Sequence, residues 1–235
     1  MTEAILELSD ARLILQSGAR VSISLTLRAG DFALIDARAA ERIGLIGDLA
    51  GGVVACAPGT ARFIGRDWAR LPPAHAAALR GRIGRVFADG GWIDFADMAI
   101  NLLLPMRHHT RVPEDELRER AARLCLRFGL PGLPLVRPGQ LSPLELARAG
   151  CARALLGDPV LLVLETPLQG RYTDLLMPLL NAIAEVRARG GAAMWLTRND
   201  SVWSDPSFPA THRLRLTEYG MADLGQPHAG ERETA

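Results

Sequence analysis

Apolar residues fall along this chain in two regular patterns, and each predicts its own element. Residues 159–164 and 192–196 are apolar without alternation, 32–35 is a shorter stretch of the same kind, and 83–87 reads as a further core strand. A strand without alternation is covered on both faces, as at the centre of a parallel sheet. Residues 5–8 and 21–27 instead alternate apolar with polar at a period of two, which predicts half-buried antiparallel strands. Residues 213–217 alternate as well and predict a late edge strand. Helical spacing places Leu117, Ala121, Leu124 and Phe128 on one face of 113–128, which opens with Pro113 and three acids. It also groups Leu144, Leu146, Ala147, Cys151, Ala154 and Leu155 within 144–155. Gly157-Asp158-Pro159 then breaks that helix into the 159–164 strand. Further helices are predicted over 74–79 after Pro72-Pro73, over 99–105, and over 172–189 up to Gly190-Gly191. Another is predicted from Ala37, with Asp36 as its N-cap and good helix formers behind it.

Strands interleaved with helices define an α/β domain, here with an antiparallel layer at its start. The organisation expected is an α/β core over 1–88 and 157–222, a helical subdomain inserted at 89–156, and a flexible tail over 223–235. A chain of 235 residues with 49% hydrophobic residues suffices for one such core. A net charge of +1 gives no basis for bulk attraction to nucleic acid or anionic lipid. All 27 basic residues are arginines, because the chain contains no lysine. Cys56, Cys125 and Cys151 are far apart and match no metal spacing, so reduced thiols of a cytoplasmic protein are expected. The acidic start does not read as a signal peptide, and no apolar run approaches the roughly 20 residues of a membrane span. His108-His109 has no ligand companions at metal spacing and reads as an exposed loop.

The stretch 141–167 carries a resemblance. Leu141, Ser142, Arg148, Ala152-Arg153-Ala154, Asp158-Pro159 and Pro167 resemble the signature helix and Walker B strand of ABC-transporter ATPases. Phe87, Gly90 and the 165–170 segment after the 159–164 strand resemble the ATPase subunits of bacterial phospholipid and solvent-resistance transporters. The resemblance implies a P-loop NTPase-like (ABC ATPase) core with an N-terminal antiparallel β layer and an inserted helical subdomain. It also implies head-to-tail pairs, in which each ATP lies between one phosphate loop and the other subunit's signature.

The positions that carry the family's chemistry depart from its pattern. A phosphate loop needs glycines so that backbone N–H groups converge on phosphate, a Lys for charge, and a hydroxyl for Mg²⁺. Here the glycine positions are Ala37, Ala40 and Arg42, the lysine position is Ile43, and the positions after it are Gly44 and Leu45. Arg38 or Arg42 is the rival phosphate ligand. Ala88 stands for the Gln that watches the metal and the attacking water, and Arg198 for the His that contacts the γ-phosphate. Glu165 stands for the Asp that holds Mg²⁺, Thr166 for the catalytic Glu, and Tyr172 for the following Asp. In the signature, Ser142 remains, while Pro143 and Leu144 replace glycines and Glu145 adds charge; Arg148 and Arg153 read as packing residues. Leu13, Ile14 and Leu15 offer no ring for adenine.

These departures predict a degenerate, non-hydrolysing ATP-binding subunit with no intact cofactor or metal site. ATP and Mg²⁺ enter only under the rival reading of a divergent active ATPase; a free-standing regulatory module is a third. The expected partners are a permease on the inner face of the cell membrane and a second ATPase subunit, with no nucleic acid and no membrane insertion. The permease is expected against residues 88–106, where Trp92, Ile93, Phe95, Met98 and Met106 make an apolar set beside Gly90-Gly91.

Overall fold

A computed structural model describes residues 3–14, 18, 20–168, 173–217 and 220–223. In chain order the strands are β1 (Ala4–Ile14), β2 (Arg20–Arg28), β3 (Phe32–Asp36), β4 (Thr60–Phe63), β5 (Arg66–Asp67), β6 (Ile83–Val86), β7 (Leu161–Glu165), β8 (Ala192–Thr197), β9 (His212–Leu216) and β10 (Met221–Asp223). The helices are α1 (Ala40–Ala50), α2 (Pro73–Arg80), α3 (Met98–His109), α4 (Glu114–Arg127), α5 (Pro143–Leu155), α6 (Thr173–Ala188) and α7 (Asp200–Ser204).

Two sheets form, ordered β2-β1-β4-β5 and β10-β9-β3-β8-β7-β6. The first is antiparallel, and the second is parallel from β9 to β6. The non-alternating strands now have their reason. On β7, Leu161 and Val163 enter the core facing the antiparallel sheet and α1, while Leu162 and Leu164 enter the core facing α5 and α6. On β8, Met194 and Leu196 face the first core and Trp195 the second. Helices α3, α4 and α5 pack on one another, and α5 lies so close to β6 that a Cβ on Gly84 would fall 2.0 Å from the Ala154 carbonyl oxygen.

Three sequence expectations are corrected. The first concerns α1, which begins at Ala40 rather than Ala37, with Ala39 as an N-cap that supplies no side-chain hydrogen bond. Asp36 is not free to cap it. Its buried carboxylate accepts from the Arg38 N–H (3.1 Å) and pairs with Arg38 Nε (3.0 Å) and Arg215 Nε (2.9 Å). Arg38 turns at φ 60°, and the helix starts only after that turn. The second concerns β9, which is no edge strand, because it pairs with β3 on one side and β10 on the other. The third is that His108 and His109 close the last turn of α3, with their rings edge to face at 4.8 Å. Leu15, Tyr172 and the tail from 224 lie outside the described residues.

Candidate functional site

The carboxyl ends of β3, β7 and β8 and the loop after β6 converge on an open cleft of about 670 Å³. This is where open parallel sheets place ligands. Arg38, Ala40, Ile43, Ala88, Thr166 and Arg198 line it, so the structure brings together six of the positions read from the sequence. Ser142 stands apart, at the start of α5, and does not line this cleft.

The segment ahead of α1 uses its amides locally. The Ala37 N–H donates to the Thr197 carbonyl (2.9 Å), the Ala39 N–H to Ala37 (2.7 Å) and the Arg42 N–H to Ala39 (3.2 Å). Ala37 and Ile43 are buried in the core between the sheets, Leu45 packs against it, and Arg42 reaches away to the Leu216 carbonyl (3.3 Å). Arg38 and Arg198 are exposed at the rim of the cleft. Thr166 sits at φ 44°, with its N–H donated to the Leu196 carbonyl (2.9 Å).

Joined to the cleft through Ala88 is a charge cluster that the sequence pattern did not point to. Arg85 on β6 donates through Nε to Glu165 Oε1 (2.6 Å), through Nη1 to Asp48 Oδ1 (2.6 Å) and through Nη2 to the Gly44 carbonyl (3.1 Å). The second Glu165 oxygen accepts the Ala88 N–H (3.1 Å). Glu165 is 2% exposed and Arg85 13%. Burial pushes the Glu165 carboxyl up, and the Arg85 guanidinium and the Ala88 N–H pull it back. The signal was present in the sequence. Arg85 is the one charged residue in a short apolar strand beside the strand that ends in an acid.

The Mg²⁺ that the family holds here does not fit these residues. Both Glu165 oxygens are already engaged, and a guanidinium occupies the space next to them. Gly44, at the hydroxyl position, gives only a carbonyl, and that is bonded to Arg85.

The signature segment is closed on itself in a similar way. Ser142 donates its N–H (2.8 Å) and its hydroxyl (2.7 Å) to Glu145 Oε2, and the Glu145 N–H donates back to Ser142 Oγ (3.3 Å). This is a capping box, which satisfies the first turn of α5 internally. The Ser142 hydrogen bonds hold the Glu145 carboxyl below its ordinary range.

Arg153 also does more than pack a surface. It is buried between the rings of Trp92 (4.1 Å) and Phe87 (5.4 Å) and donates to the Gly91 (3.1 Å) and Gly90 carbonyls. Burial lowers its pKa to about 10. Trp92 is thereby held partly buried against the core, where it lines a cleft with Phe87 and Leu146, and of the apolar set expected to wall a docking cleft Met98 and Met106 are buried outright. Ile93 is held by Asn101 through both its N–H (2.7 Å) and its carbonyl (3.1 Å). Phe95 is 84% exposed.

No protein-family profile matches the sequence. The fold is that of a dimeric bacterial ABC transporter cassette, MJ0796, with a TM-score of 0.82 at 17% identity, covering 94% of this chain and 99% of that one. The molecule therefore has the mixed α/β fold of the ABC ATPase cassettes. The thiamine import ATP-binding protein ThiQ of Cereibacter sphaeroides is 30% identical over 218 residues, 87% of this chain and 90% of that protein. The intermembrane phospholipid transport system ATP-binding protein MlaF of Haemophilus influenzae is 31% identical over 123 residues, 52% of this chain and 47% of that protein. The chain belongs to the ATP-binding subunits of ABC transporters.

Proposed function

We propose that this chain is a non-hydrolysing ATP-binding subunit, a structural or regulatory component of a membrane transport complex. It would sit on the inner face of the cell membrane beneath a permease. One observation carries the reading: the cleft presents an apolar Ile43 where the family has its lysine and Thr166 where it has its general base. A hydroxyl does not take a proton from water at neutral pH, and the lysine-free chain offers no substitute ammonium. No helix among the described residues is long and apolar enough to cross a membrane, which agrees with attachment through a partner.

The test is calorimetric titration with ATP and Mg²⁺ alongside a phosphate-release assay. Charge-assisted hydrogen bonds contribute roughly 1.5–3 kcal/mol each, so losing several weakens binding by about a thousandfold or more. A low-micromolar dissociation constant with turnover would overturn the proposal. It would establish the second reading, a divergent active ATPase. That reading draws support from the openness of the cleft and from Arg38 and Arg198 on its rim, two cations within reach of a polyphosphate.

A further inference from the structure

The three oxygens around Arg85 come from two elements: Gly44 and Asp48 from successive turns of α1, and Glu165 from the end of β7. Two carboxylates and a carbonyl arranged around one cation form a hard, oxygen-only set of the kind that takes Mg²⁺ or Mn²⁺. In this chain that cation is a guanidinium that arrives from a third element, β6. The surroundings are shaped for it. A Cβ on Gly47 would lie 2.0 Å from Glu165 Oε1 and 2.7 Å from Arg85 Nη2, so the missing side chain makes the room that the ion pair fills. The Phe87 ring lies 4.4 Å from the guanidinium carbon, and the Ala88 N–H fixes the outer Glu165 oxygen.

We infer that Arg85 is a resident cation that takes the place of a divalent metal, joining α1, β6 and β7 permanently and closing a cation site made by Gly44, Asp48 and Glu165. The inference rests on reading the cleft as an ABC-type nucleotide site, and it adds how that site is controlled. A metal comes and goes with its ligand, whereas a tethered cation does not. The junction of α1, β6 and β7 beside the cleft is therefore set whether or not anything is bound, and it does not respond to Mg²⁺.

The test uses the full chain without nucleotide, so its outcome is separate from that of the ATP titration. Mn²⁺ is titrated into the wild type, into Arg85→Met, and into Arg85→Met combined with Glu165→Gln, and bound metal is read by electron paramagnetic resonance. Methionine keeps an unbranched apolar stem as far as the place of Nε, gives up the charge and vacates the space of the guanidinium. The wild type should bind no Mn²⁺ through Glu165, and its melting temperature should be the same in EDTA and in Mg²⁺. Arg85→Met should gain one site of millimolar affinity or better, lose it again with Glu165→Gln, and melt higher when metal is added. Mn²⁺ binding by the wild type that Glu165→Gln abolishes would overturn the inference. So would an Arg85→Met chain that gains no metal, or one that stays unfolded with and without it.

Discussion

Gly47 has no chemistry of its own, yet the charge cluster depends on it. Its α1 position faces the Arg85–Glu165 pair so closely that a methyl group has nowhere to go. Gly47→Ala must push α1 off β7 or part the ions, and a buried carboxylate left without its partner is costly. The expected loss is about 2–4 kcal/mol, read as a lower denaturation midpoint at an unchanged m-value. An unchanged midpoint would mean that the pair does not occupy the space it fills here. Residues of this kind are hard to read in one dimension. The replacements at Ile43, Thr166 and Ala88 were legible because each sits at a fixed distance from a recognisable segment. Arg85, Asp48 and Gly47 matter only through contacts between residues 37 to 118 positions apart.

At the scale of elements, periodicity did well wherever burial is two-sided. The β7 and β8 strands and the α4 and α5 helices appear where their apolar spacing puts them, because the spacing is the record of which faces are covered. It failed where tertiary pairing overrides a local preference. Asp36 has the chemistry of an N-cap, but the Arg215 guanidinium from β9 holds it in the sheet, and α1 starts later. That same strand alternates like an edge strand because the buried Arg213 and the half-buried Arg215 serve as hydrogen-bond donors within the fold. Arg213 donates to the Asp205 carbonyl (2.6 Å) and Arg215 to Asp36 (2.9 Å).

The end of α3 gives a pH prediction at this scale. Burial, followed by the neighbouring His108 and Arg80 charges, lowers the His109 pKa below its ordinary value. A lowered imidazole means that the fold prefers the neutral ring. Its contribution to stability is complete above the unfolded value of about 6.5 and is lost as pH falls through and below it. Melting temperature should therefore drop between about pH 7.5 and 5.5, and His109→Gln should remove part of that slope. A slope identical in both proteins would assign it to other groups.

Across the whole molecule the question is which surfaces remain for partners. Trp92 stacks on Arg153 and packs into the core, whereas Phe95 projects into solvent. A permease docked beside this loop would therefore be lost with Phe95→Ala at nearly unchanged melting temperature. Trp92→Ala should instead lower the melting temperature, with a stability loss below the roughly 3–5 kcal/mol of a fully buried aromatic because Trp92 is partly buried. Co-purification and melting of the two variants separate the roles. The reverse assignment, a stable Trp92→Ala chain that alone loses the permease, would place docking at the ring that stacks on Arg153.

The second surface is the signature, which a head-to-tail partner would close upon. There the Ser142 hydroxyl is already donated to Glu145, Pro143 has no N–H to give, and the Glu145 carboxylate, held ionised by Ser142, faces the incoming phosphate. Like charges in a closing, water-poor interface oppose closure. The other composite site would rest on this chain's cleft, with Ile43 for lysine and a guanidinium in the metal's place. Neither half of such a pair gains from this subunit. An active ABC ATPase mixed with this chain should hydrolyse ATP at an unchanged or lower steady-state rate. Stimulation of about tenfold, roughly 1.4 kcal/mol off the barrier, would contradict this. In that event Ser142→Ala is the decisive variant, because Ser142 is the surviving signature group, and loss of the stimulation there would mean that the capping box opens when a partner closes on it.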